Sequence, residues 1–270
     1  MSTAQPQSRP IFASVVMPAF DEGERLPQLL RVLELSADPL SPPTEFIVAD
    51  DGSAPGHHAR YQAAVAATRN AWGRQGAPHR ISLFTLPRNR GKGAAIRAAW
   101  SQSAPHAEWV GFVDADGAVP AAEVWRLIRR AAAGDADLVA GSRIKMAGHH
   151  VHRSLLRHLQ GRVFATAVDV SFRLGFYDTQ CGLKIVRSSL LRPLLPALQE
   201  ERWMLDVELL LALRRAGARC VEEPIDWTDP GGSKVVPLLD PLRMLMALGR
   251  MRRRMMPRFG AAPASAGLLR

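Results

Sequence analysis

The stretch Trp109-Val110-Gly111-Phe112-Val113-Asp114-Ala115-Asp116-Gly117-Ala118 sets an uninterrupted apolar run directly against two carboxylates. A short apolar run without polar alternation is the pattern of a strand covered on both faces, as in a parallel sheet. Aspartates two apart at such a strand end turn their side chains to one side. Hard carboxylate oxygens held in that way suit Mg²⁺ or Mn²⁺ bridging a diphosphate. A D-x-D alone serves equally as a turn with a helix-capping Asp.

The same grammar repeats on either side. Strands are expected at Ser14–Met17, Glu45–Ala49, Arg80–Leu86, Asp137–Gly141, Leu183–Val186 and Arg219–Trp227. Helices are expected at Glu22–Leu35, Gly56–Trp72, Gly91–Ser101, Glu123–Ala133, His152–Val168, Leu205–Arg215 and Pro241–Met256, with a loop over Thr228–Lys234. Strands alternating with helix-length segments imply βαβ units, a largely parallel sheet and one mixed α/β domain.

Ligands of such a sheet bind beyond the carboxyl ends of its strands, and the polar clusters fall there. Pro18-Ala19-Phe20-Asp21-Glu22 follows the first strand and Asp50-Asp51-Gly52-Ser53 the second. Arg88-Asn89-Arg90-Gly91-Lys92-Gly93 follows the third, and Ser142-Arg143 the fifth. Asp50 is suited to accept the imide N–H of a base such as uracil, or it caps a turn. Gly91-Lys92-Gly93 opens a helix, where free N–H groups attract anions, or it is a solvated basic loop. Its spacing matches neither a Walker loop nor a dinucleotide fingerprint.

The 270 residues carry 35 Lys and Arg against 25 Asp and Glu, a net charge of +10, with 47% apolar residues. That composition belongs to a globular chain and excludes disorder. The excess charge is local: residues 142–168 hold five basic and no acidic residues, and 241–270 hold seven arginines and none, which leaves the rest at −2. Aromatics are only 6%, with no basic-aromatic interleaving for base stacking, so nucleic acid is not an expected partner. Cys181 and Cys220 form no C-x-x-C pair and imply neither a disulfide framework nor structural zinc. His149, His150 and His152 read as a surface loop rather than a metal site. Without a leader-like apolar stretch or a spanning run, the expected location is cytoplasmic. In the terminal helix Met244, Leu248, Met251 and Met255 make one stripe, with Arg243, Arg250 and Arg254 roughly opposite and Arg252 and Arg253 adding charge. Such a helix docks on anionic lipid or packs its stripe on the domain.

Three later motifs, Asp178-Thr179-Gln180-Cys181-Gly182, Glu201-Arg202-Trp203 with Asp206-Val207-Glu208, and Gly232-Ser233-Lys234, complete a pattern. Over about Ser14 to Leu239 the chain resembles the family 2 glycosyltransferases of GT-A fold, most narrowly the polyprenyl-phosphate (dolichyl-phosphate) glucosyl- and mannosyltransferases. Asp114-Ala115-Asp116-Gly117-Ala118 resembles the glucosyl branch, since the wider family often has Gln shortly after the second aspartate. The family also commonly has Asn where this chain has Asp21.

The resemblance implies an inverting transfer of a hexose, glucose, from a UDP-sugar to a polyprenyl phosphate. Pro18, Ala19, Glu22, Asp50 and Asp51 would line the nucleoside pocket, Lys92 would face the diphosphate, Asp114 the ribose or the metal, and Asp116 the metal itself. Arg143, Arg153 and Lys234 would receive the acceptor phosphate or the diphosphate leaving group, with Ser233 beside them at the acceptor phosphate. Asp116, Arg143, Asp206 and Lys234 would carry the transfer, while Asp178, Gln180, Trp203 and Glu208 belong to motifs without individual roles. A phosphate acceptor is already anionic and needs no general base; Asp178, Asp206 and Glu208 are the candidates if one is required. The alternatives are a saccharide or soluble hydroxyl acceptor, or mannosyl transfer from GDP-mannose. The implied organisation is a flexible 1–12, a transferase domain over 13–239, a basic helix over 240–258 and a tail over 259–270. The enzyme would sit peripherally on the cytoplasmic face of a membrane.

Overall fold

A computed structural model describes residues 10–37, 41–152, 155–229, 231 and 239–255. Four parallel strands form the first half of the sheet: β1 (Ala13–Ala19), β2 (Thr44–Asp50), β3 (Arg80–Thr85) and β4 (Trp109–Val113). The chain steps outward from β1 to β2 to β3, then returns to lay β4 on the other side of β1. This reversal opens the crevice in which α/β sheets bind ligands. Beyond β4 the order continues β7 (Leu183–Arg187), β5 (Leu138–Ser142) and β8 (Cys220–Pro224).

β7 runs antiparallel to both β4 and β5. Its N-terminal residue Leu183 therefore pairs with Val113 at the C-terminal end of β4. That reversal delivers residues 178–182, which precede a strand, to the edge where the other clusters follow theirs.

Both faces of the sheet are covered, which explains the continuous apolar strands. On β1, Val15 and Met17 join one core cluster and Val16 the other, the alternation a pleated strand imposes. The first layer is α1 (Arg25–Leu35), α2 (Pro55–Gln75) and α4 (Ala121–Ala132), packed around Phe46, Trp72 and Trp125. α4 shows why: Val124, Leu127, Ile128 and Ala131 recur at helical spacing and are buried. Glu123 in its first turn and Arg129 and Arg130 in its last oppose the helix dipole. The second layer contains α3 (Lys92–Trp100), α5 (Leu155–Phe172), α6 (Ser188–Leu194), α7 (Leu205–Arg215) and α8 (Leu239–Met255).

Three expectations are corrected. The strand expected over Arg219–Trp227 is two: β8 in the main sheet and β9 (Trp227–Thr228), which pairs with β6 (Val151–His152). The break comes at Asp226, whose Oδ1 accepts the His150 N–H at 2.7 Å and draws the chain to a second, two-stranded sheet. His152 is accordingly a strand residue, not the start of a helix. Thr228, expected in a loop, donates its N–H to Ala118 O at 3.0 Å and so ties this small sheet to the turn after Asp116.

Of the α8 stripe, Leu248 and Met251 are buried with Ala247 in the second core cluster and Met244 packs against it, while the Met255 side chain lies outside the described residues. Arg254 reaches the Glu208 and Glu200 carboxylates, while Arg250, Arg252 and Arg253 stay exposed. Among the described residues no helix is long and apolar enough to cross a membrane.

Candidate active site

The crevice is built from the ends of β1, β2 and β4. After β1, Asp21 adopts a left-handed backbone (φ 50°), which Asp and Asn tolerate better than other non-glycine residues. Its Oδ1 accepts the Ala54 N–H at 2.9 Å and its own N–H reaches Ser53 Oγ at 3.0 Å. An Asn would serve this turn equally. Pro18 and Ala19 close β1, and Ala19 O accepts the Asp51 N–H at 2.8 Å.

Glu22 is gripped by Arg25 through both oxygens, at 2.6 and 2.8 Å. Asp50 is buried at the crevice floor, with Oδ1 accepting the Ser53 N–H (2.9 Å) and Oδ2 2.7 Å from His58 Nδ1. Asp51 uses both oxygens on the backbone N–H groups of Arg90 (2.8 Å) and Gly91 (2.7 Å). It shapes the loop that carries Lys92. Burial raises its carboxyl pKa despite those two hydrogen bonds.

Lys92 opens α3 directly after Gly91, whose φ of 106° and close approach to Glu201 O exclude a side chain. Its ammonium points into the crevice, 2.7 Å from Asp114 Oδ1 and 3.5 Å from Asp206 Oδ2. The rings of Phe112 and Trp203 lie 5.1 and 5.8 Å away. Burial would depress this lysine, but the Asp114 and Asp206 carboxylates outweigh it and hold it above its usual range.

Asp114 fits only because residue 182 is glycine: a Cβ there would sit 2.0 Å from Asp114 Oδ2. Gly182 O in turn accepts the Asp114 N–H at 2.8 Å. Asp116 accepts the Ala118 N–H at 3.0 Å, and its pKa is raised by burial and by the neighbouring Asp114 charge. Two carboxylates that destabilise each other are relieved by a cation between them, so the pair fits a divalent metal. No cluster of three or more His, Cys, Asp or Glu side chains occurs among the described residues. Mg²⁺ held through one or two carboxylates usually completes its shell with water and substrate phosphate.

At the other end of the crevice Arg143 meets Asp178 in a two-pronged pair, with Nε 2.6 Å from Oδ2 and Nη2 2.8 Å from Oδ1. Burial alone would raise the Asp178 carboxyl, but the Arg143 guanidinium pulls it down to about 2. Two of the five guanidinium N–H groups are so engaged, and among the described residues no other acceptor is paired with the rest. Glu222 on β8 fixes this pair: it accepts from Ser142 Oγ (2.9 Å), Asp178 N (2.9 Å) and Tyr177 N (2.7 Å). Gln180 reaches Trp203 O at 3.4 Å and so links the two motifs.

Glu208 faces away from the crevice. It accepts the N–H groups of Gln199 (2.9 Å) and Glu200 (2.8 Å) and pairs with Arg254. Burial pushes the Cys181 thiol up to about 12, so it is inert packing. Arg153, Ser233 and Lys234 lie outside the described residues.

The structure thus groups Asp114, Asp116, Lys92 and Asp206 at one point and Arg143 with Asp178 at another. It adds Lys184, His58 and Glu222, which sequence reading missed. Lys184 left one signal, a lone ammonium inside the apolar strand Leu183–Arg187. His58 and Glu222 left none, because their partners are set by tertiary pairing.

The family model of glycosyl transferase family 2 matches residues 14–195. The dolichyl-phosphate beta-glucosyltransferase of Dictyostelium discoideum is 30% identical over 252 residues, 90% of this chain and 74% of that protein. Its human namesake is 31% identical over 243 residues, 86% of this chain and 72% of that one. Among solved structures, glucosyl-3-phosphoglycerate synthase from Mycobacterium tuberculosis, in complex with Mn²⁺, UDP and glucosyl-3-phosphoglycerate, superposes with a TM-score of 0.64 at 19% identity. It covers 93% of this chain and 82% of that one, a likeness of fold, which is GT-A. The chain belongs to glycosyl transferase family 2 and is a glycosyltransferase.

Proposed function

We propose that this glycosyltransferase moves glucose, with inversion, from a UDP-sugar to the phosphate of a polyprenyl phosphate at a membrane surface. The observation that carries this reading is the condition of its carboxylates. Asp178 is tied to Arg143, Asp206 lies between Lys184 and Lys92, and Glu208 is closed by two backbone N–H groups and Arg254. Each candidate base already spends carboxylate oxygens on a cationic partner, and the Arg143 guanidinium holds the Asp178 carboxyl down at about 2. A hydroxyl nucleophile needs a base near neutral pH. A phosphate monoester is already an anion and needs none. The two relatives named above, both dolichyl-phosphate beta-glucosyltransferases, point to the same acceptor class and sugar.

In the reaction an acceptor phosphate oxygen forms a bond to the anomeric carbon from the face opposite UDP. The bond from that carbon to the UDP oxygen breaks, and its electron pair leaves with UDP. Asp50 reads the uracil edge from the floor of the crevice, beside Pro18, Ala19 and Glu22. Lys92 supplies positive charge to the diphosphate, and Arg143, with Arg153, Ser233 and Lys234, receives the acceptor phosphate. Asp114 and Asp116 would hold Mg²⁺ or Mn²⁺, which neutralises charge on the departing UDP. Positioning and electrostatic stabilisation are then the whole of the protein's task.

Peripheral attachment on the cytoplasmic face is supported by the exposed Arg250, Arg252 and Arg253 of α8. Its apolar stripe is already buried in the domain, so attachment there would be electrostatic. The test is incubation with labelled UDP-glucose, UDP-galactose and GDP-mannose, Mn²⁺ and dolichyl phosphate. Organic-phase label is expected from UDP-glucose, and label from GDP-mannose alone would refute the donor assignment.

A further inference from the structure

Two lysines and two aspartates alternate from the dry core to the crevice. Lys184 Nζ lies 2.5 Å from Asp206 Oδ1, Asp206 Oδ2 lies 3.5 Å from Lys92 Nζ, and Lys92 Nζ lies 2.7 Å from Asp114 Oδ1. Lys184 is completely buried, also donates to Cys181 O at 2.7 Å, and shares the Phe112 ring with Lys92. A buried ion pair of this kind adds little stability over apolar residues of the same volume. Its effect is to be sought at the far end of the chain of charges.

There, Lys92 occupies an oxygen of Asp114. On the reading that Asp114 and Asp116 hold a divalent cation, on which this inference rests, two cations would compete for one carboxylate. The Lys92 ammonium must then move, and Asp206 Oδ2 is the other carboxylate oxygen paired with it. Lys184 fixes the opposite oxygen of Asp206, which leaves Oδ2 directed at Lys92.

We infer that Lys184 and Asp206 are positioning residues that give Lys92 a second berth. The cation then enters at Asp114 while Lys92 stays beside the diphosphate. Without that berth Lys92 remains on Asp114 and competes with the metal.

The test is Mn²⁺ titration of the full chain without nucleotide, so that Lys92 has no diphosphate to serve, with free Mn²⁺ read by electron paramagnetic resonance. Lys184→Met/Asp206→Asn removes both buried charges together, so no unpaired ion is left in the core. Near-UV circular dichroism checks that the fold is kept. This variant should bind Mn²⁺ about tenfold more weakly than wild type. Adding Lys92→Met should restore affinity to within about twofold, which a merely structural loss would not allow. Wild-type affinity in the double variant, or no restoration in the triple, overturns the inference and leaves the metal site standing. Failure of the wild type to bind Mn²⁺ would overturn the metal site and the inference together.

Discussion

Replacing Gly182 by alanine probes the metal end of the crevice with a single methyl group. Its backbone lies outside the left-handed region, so alanine is not excluded by conformation. The obstacle is steric: the new Cβ would meet Asp114 Oδ2 at 2.0 Å and Cγ at 2.3 Å, where ordinary contact begins at 3.4 Å. Either the carboxylate or the backbone must give by more than 1 Å. Gly182 is held by its carbonyl bond to Asp114 N, so the side chain is the part that rotates. A displacement of about 1 Å in a reacting constellation costs roughly 10²-fold in rate, or about 2.7 kcal/mol of barrier. Overpacking adds a stability cost of about 1–3 kcal/mol.

The assay is kcat/KM for glucose transfer at a series of Mn²⁺ concentrations, beside a urea unfolding curve. Gly73→Ala is the control. Nothing lies within 4 Å of a Cβ there, on α2, so this variant should gain about 0.5–1 kcal/mol of stability and keep full activity. Folded Gly182→Ala with kcat/KM within about twofold of wild type would refute the placement of Asp114 at the reacting centre.

Further predictions concern the acceptor end and the core. Asp178→Asn leaves Arg143 without its counter-charge; the KM for polyprenyl phosphate should rise while that for UDP-glucose holds, and equal shifts in both would contradict the assignment. Because Arg143 keeps some solvent contact, the stability cost should be about 1–3 kcal/mol, below that of breaking a fully buried pair. His79 is buried between Trp72 and Trp125, with Nδ1 accepting the Thr44 N–H, and burial lowers its pKa to about 4. The unfolded chain takes up the proton first, so stability is full above about pH 6.5 and falls as pH drops towards 4. Relative to His79→Leu, the wild type should lose about 2 kcal/mol between pH 7.5 and 5; parallel stability curves for the two would refute it.

The first half of the sheet was legible because each signal there is local. Apolar runs name the strands, and Asp50, Lys92, Asp114 and Asp116 follow their strands directly in the chain. The second half of the sheet was less legible because its order is spatial. That Asp178 and Gln180 reach the same sheet edge depends on β7 running backwards, which no spacing announces. The division of Arg219–Trp227 into two strands depends on Asp226 capturing a backbone N–H from residue 150. The amphipathic pattern of α8 fitted a lipid surface and a protein core equally, and only its contacts with the second core cluster separate them. Asp206 and Glu208 sit two residues apart in one motif, yet one faces Lys92 and the other Arg254. Their partners come from distant segments, so tertiary packing decides their roles.

The central claim is that the acceptor is a phosphate that needs no base. The most direct measurement supplies the protein with labelled UDP-glucose, Mn²⁺ and either dolichyl phosphate or dolichol, and follows label into the organic phase. The account predicts transfer to the phosphate alone, giving a glucosyl phosphate with inverted, β configuration at the anomeric carbon. Transfer to dolichol at a comparable rate would contradict it.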